Sequence, residues 1–64
     1  MNDQSLNIFD AVEFFNTSDE TLDGKRGFIT GRYSNNFIVT FTEIPPVGYY
    51  PSIVITGFCL KKIS

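Results

Sequence analysis

The run Phe37-Ile-Val-Thr-Phe-Thr42 alternates without a break, with Phe37, Val39 and Phe41 on one face and Ile38, Thr40 and Thr42 on the other. A period of two is that of a β-strand, where successive side chains point to opposite faces. Its upstream neighbour, Gly27-Phe-Ile-Thr-Gly-Arg-Tyr33, reads as a second strand interrupted at Gly31, and glycine inside a strand marks a bulge or a sharp bend. Ser34-Asn35-Asn36 lies between the two and is a tight connection, because Asn tolerates positive φ. Residues 28–42 are therefore expected to form an antiparallel hairpin, and the rest of the chain must be fitted around it.

The segments on either side are shorter and less uniform. From Leu6 to Phe15, Ile8, Ala11, Val12 and Phe15 share a helical face behind a Ser5 N-cap. A strand over the same residues would instead turn Val12 and Phe14 inward and Glu13 outward. The β-rich remainder favours a strand from Ala11 to Phe15, with residues 1–9 a flexible or helical arm. Residues 16–27 have loop composition, with Asp23-Gly24 as a turn signal and Leu22 as the only large apolar residue, expected to tuck the loop onto the core. Glu43-Ile-Pro-Pro-Val-Gly-Tyr-Tyr-Pro51 cannot be a central strand, because its prolines lack donors. Ser52–Thr56 is a short β-branched strand, Gly57–Leu60 a tight turn of 3₁₀ type, and Lys61–Ser64 a closing segment with Ile63 available to pack inward. The expected core is Val12, Phe14, Leu22, Ile29, Val39, Phe41, Ile53, Ile55, Leu60 and Ile63.

Sixty-four residues allow one domain with one small core. With no His and a single Cys, the chain cannot build an internal disulfide, a thiolate–imidazole metal site, or Cys–His or Ser–His catalysis. Asp19, Glu20 and Asp23 lack the alternating ligand spacing of a calcium loop. No enzymatic activity, cofactor or metal is expected. No apolar run is long enough to span a bilayer. The N-terminus lacks a basic region and carries Asp3 and Asp10, unlike a signal peptide. A cytoplasmic setting follows, in which the lone Cys59 is a small buried hydrophobe. The net charge of −2 divides into −6 over residues 1–23 and +4 over residues 24–64. Such halves either attract each other inside one fold or point to charged partners.

The order of elements resembles an SH3-like small β-barrel, and within that group the KOW-type domains of ribosomal proteins and transcription elongation factors. The matching residues are Leu22-Asp-Gly-Lys-Arg-Gly27, Ile29, Gly31, the Phe37–Phe41 strand, and Ile53–Ile55 followed by Leu60 and Ile63. The resemblance covers roughly residues 10–64. It implies an all-β, five-stranded barrel occupying residues 1–64 as a single domain, with Gly27 at a place where a side chain would clash. It also implies RNA or single-stranded nucleic-acid binding.

Two surface features are candidates for function. Tyr49, Tyr50, Pro46 and Pro51 would offer a shallow groove for an extended segment of another protein, with rings for stacking and hydroxyls for hydrogen bonds. The competing reading has one Tyr cap the open end of the barrel while the prolines stiffen the loop. Lys25, Arg26, Arg32 and Tyr33 interleave positive charge with an aromatic ring, the combination used on single-stranded nucleic acid. The competing reading is a solvated edge whose charges offset the acidic segment. The function expected is a small non-enzymatic protein-binding module. A chain of this size that opens on Met also matches the accessory proteins with which phages and mobile elements bind a host factor. A nucleic-acid-binding module is the alternative, and homo-oligomerisation through barrel edges is a third reading. No membrane partner is expected.

Overall fold

The structure, a computed structural model, describes residues 6–63. These residues form five strands, β1 (Ala11–Phe14), β2 (Arg26–Tyr33), β3 (Asn36–Phe41), β4 (Ser52–Ile55) and β5 (Leu60–Lys62), with a 3₁₀ turn at Gly57–Cys59. All pairings are antiparallel, and the sheet order is β4-β3-β2-β1-β5. The all-β, five-stranded class is as expected from the sequence. The sheet does not close into a ring: β4 and β5 are its two edges, of four and three residues, which leaves few rungs with which to meet around the core. Among the described residues no helix is long and apolar enough to cross a membrane.

The open choice at residues 6–15 falls to the strand. Ala11–Phe14 pairs on both sides, with Val12 opposite Gly27 and Lys62. Residues 7–10 form a turn closed by the Asp10 N–H donating to the Asn7 carbonyl at 3.1 Å, and the Asn7 N–H donates to Asp10 Oδ2 at 2.8 Å. Ser5 and the rest of the arm before Leu6 lie outside the described residues.

The hairpin of β2 and β3 is the centre of the sheet. Ile29 pairs with Val39 and Gly31 with Ile38, so Thr30 is an extra residue on β2. This is a β-bulge, one residue before the glycine that signalled it. Because side chains alternate, an extra residue reverses facing beyond it. Gly27 and Ile29 face the core before the bulge. After it, Arg32 turns to the core side opposite Phe37. The turn at Ser34-Asn35 takes its positive φ at Ser34, 58°, rather than at an Asn, which gives the II′ type of two-residue hairpin.

The core consists of Leu6, Val12, Phe14, Leu22, Ile29, Val39, Phe41 and Leu60. Leu22 does tuck the long β1–β2 loop onto it. Two expectations change at the sheet edge. Ile53 and Ile55 are half-buried against the core, because among the described residues no strand lies on the far side of β4. Ile63 is exposed: its N–H donates to the Ala11 carbonyl, and the alternation that buries Leu60 turns Ile63 to the outer face. Leu6 takes up core volume instead. Its carbonyl accepts a hydrogen bond from Arg32 Nη2 at 3.2 Å. The acidic and basic halves of the chain meet in ion pairs that include Arg26–Glu13 at 3.7 Å and Lys62–Asp10 at 3.5 Å.

Candidate interaction surface

The loop between β3 and β4 is organised by its own turn chemistry. The Tyr49 N–H donates to the Pro46 carbonyl at 3.0 Å, closing a four-residue turn over Val47 and Gly48. Gly48 holds φ at 95°, the left-handed conformation that a type II turn needs at its third position. The turn lifts Val47 fully into solvent, 100% exposed. Pro45 and Pro46 are half-buried, and both fix φ without spending a donor.

The two tyrosines have different roles. Tyr49 turns inward. Its ring meets Phe41 edge-on at 6.4 Å, and Phe41 in turn packs on Phe14 at 5.2 Å. Its hydroxyl donates to Asp19 Oδ2 at 2.5 Å. Tyr50 points the other way and is 80% exposed. The groove expected from Tyr49, Tyr50, Pro46 and Pro51 is therefore divided. Tyr49 ties the loop to Asp19, Pro46 accepts the bond that closes its turn, and Tyr50 and Pro51 face solvent.

Asp19 is held from the β1–β2 loop. Its Oδ1 accepts from the Thr21 N–H at 2.9 Å and from Thr21 Oγ1 at 2.7 Å. The nearby Asp23 Oδ1 accepts from the Thr17 N–H at 2.9 Å and Thr17 Oγ1 at 2.6 Å. The Tyr49 hydroxyl, followed by the Thr21 donors, holds the Asp19 carboxyl below its ordinary value. The same bond raises the Tyr49 phenol, since ionising it would discard the donor beside a carboxylate. The result is a display platform: Ile44, Val47 and Tyr50, at 87%, 100% and 80% exposure, stand on a loop fixed from beneath.

The nucleic-acid candidates are not gathered into one patch. Arg26 and Tyr33 stand at opposite ends of the eight-residue β2, roughly 23 Å apart along an extended strand. Arg26 pairs with Glu13. Arg32 shares the core-side face with Phe37 beyond the bulge, lies 5.6 Å from the Phe37 ring centroid, donates to the Leu6 carbonyl and remains exposed. Lys25 is half-buried with its carbonyl accepting from the Phe14 N–H. Tyr33 is exposed.

Ile44 and Val47 were not singled out by residue type. The Pro46-Val47-Gly48 order could have marked Val47, because a type II turn with glycine at its third position presents the second outward. Phe9 and Phe58, 79% and 89% exposed, carry no such signal in sequence. The display surface offers apolar contact and one phenol hydroxyl, and among the described residues no cluster of His, Cys, Asp or Glu could hold a metal ion. No protein-family model, curated protein or solved structure matches the chain.

Proposed function

We propose that this chain is a small protein-binding module that works by surface contact, with the β3–β4 loop as its contact element. The observation that carries the reading is the placement of Ile44, Val47 and Tyr50 in solvent on a loop anchored by Tyr49 to Asp19 and Phe41. Burying large apolar side chains carried on an anchored loop spares part of the loop-ordering cost of binding. The absence of His leaves the hydroxyls of the sequence without an imidazole base, and the carboxylates of Asp19 and Asp23 are taken up in bonds that shape the loops. An SH3-like identity for the sheet fits the β5 return beside β1. Small barrels of that kind serve many partners, so the fold by itself names none. A KOW-like nucleic-acid surface has less support, because Arg26 and Arg32 are engaged within the chain and far apart.

The test is a crosslinking pull-down with the wild type and a Val47→Ser, Tyr50→Ala double variant whose fold is checked by NMR. A partner retained by the wild type and lost with the variant is expected. Equal retention by both, or retention of RNA instead of protein, counts against the reading.

A further inference from the structure

We propose that the open edge of β4 is a self-association surface, on which a second copy of the chain adds its own β4 antiparallel about a twofold axis at Ile53. The argument starts from which backbone groups face outward. The Phe41 N–H donates to the Pro51 carbonyl, and the register runs Val39 to Ile53 and Phe37 to Ile55. In an antiparallel ladder the hydrogen-bonded positions alternate. Residues 51, 53 and 55 therefore turn their backbone groups to β3, and Ser52 and Val54 turn theirs to the open side. Among the described residues no strand lies there.

Edges are usually blunted by charge, by proline or by brevity. β5 has three residues and carries Lys61 and Lys62. β4 is short as well, at four residues, but it has no charged residue. Pro51 does not blunt it either, because the position of its missing N–H faces β3 rather than the edge. A twofold axis at Ile53 sets Ser52 opposite the second copy's Val54 and Val54 opposite its Ser52, each pair exchanging both N–H···O bonds. The operator matches the outward-facing positions without any register slip.

The same operator accounts for two exposed rings. Tyr50 lies just before β4 and Phe58 just after it, at 80% and 89% exposure. Reversing the strand direction brings Tyr50 of one copy to the end of the pair that carries Phe58 of the other. Aromatic side chains bury roughly 150–250 Å² each, so the four rings of two copies would supply at most on the order of 600–1,000 Å². With the strand edges added, the total reaches the roughly 1,000 Å² at which a specific interface begins. The dimer is thus weak and concentration-dependent. It needs no other protein, so its test is independent of the partner binding proposed above.

Sedimentation equilibrium of the purified chain, from roughly 10 µM to roughly 1 mM, reads the proposal. The weight-average mass should climb from 7.2 kDa towards twice that value. Val54→Pro removes an outward N–H while sparing the bonds to β3, and proline is tolerated at such an edge position. Val54→Lys adds the charge that the edge lacks, and decides the matter if the proline variant fails to fold. A folded variant of either kind should stay at the monomer mass throughout. A wild type that remains monomeric overturns the proposal, including one whose β4 amides shift only with an added extended peptide. Folded variants that dimerise like the wild type also overturn it, placing the interface elsewhere.

Discussion

Phe9 holds φ at 76°, a conformation in which a bulky side chain crowds its own backbone. It occupies the third position of the Asn7–Asp10 turn, where type II geometry favours glycine. Its ring is 79% exposed, so little packing offsets the strain. Residues in such regions cost on the order of 1–3 kcal/mol each. Phe9→Gly is therefore expected to stabilise the fold by about 1 kcal/mol in urea denaturation, the remainder being lost to the greater freedom of glycine in the unfolded chain. Unchanged or lower stability would mean that the Phe9 ring contributes packing the static arrangement does not show. The turn was not readable from sequence, because no glycine or asparagine stands at position 9 to announce it.

At the scale of the element, the β2–β3 hairpin was legible from alternation, turn residues and one glycine. Gly27 is a position where the strands leave no room for a side chain. A Cβ there would press into the Thr40 carbonyl oxygen and come within 2.9 Å of Val39 Cγ1. The first of these is backbone in the middle of a ladder and cannot swing aside. Gly27→Ala should cost on the order of 1–3 kcal/mol as the two strands separate. For a domain this small that lowers the melting temperature by roughly 4–8 °C per kcal/mol, measurable by circular dichroism. A variant that melts with the wild type would show that the strands relax freely. The bulge at Thr30 was foreshadowed by Gly31, but its consequence was not. The sequence places Arg32 among the basic residues of β2, and the parity change sets it beside Phe37 with a hydrogen bond to the Leu6 carbonyl while it stays exposed to solvent.

For the molecule as a whole, the Tyr49–Asp19 bond joins the β3–β4 loop to the β1–β2 loop across 30 residues of sequence. Its pH dependence follows from both shifts. The depressed Asp19 contributes stability above its ordinary value of 3.8 and loses it as pH falls through the lower folded value. The raised Tyr49 contributes below its ordinary value of 10.0 and loses it as pH rises through the higher folded value. The stability gap between wild type and Tyr49→Phe should thus be widest near neutrality and narrow below 3.8. The Asp19 carboxyl, followed by NMR, should titrate higher in the variant. A gap that stays constant into acid would assign the effect to ring packing on Phe41 instead.

Sequence alone determined the class and the exclusions. Period-two alternation over residues 37–42, β-branched Ile53–Ile55 and the turn residues between them admit little but an antiparallel sheet. The lack of His with a single Cys removes whole families of chemistry before any fold is known. Tertiary structure decided what depends on distance in space. It chose which tyrosine turns inward, because Asp19 waits on another loop, and which way Arg32 faces, because facing is counted through a bulge. It left Ile53 and Ile55 half-buried and Ile63 exposed, because burial is a property of what covers a strand and not of the strand itself. That β4 ends the sheet among the described residues is likewise a fact of topology, since alternation shows which residues share a face but not which strand lies at an edge.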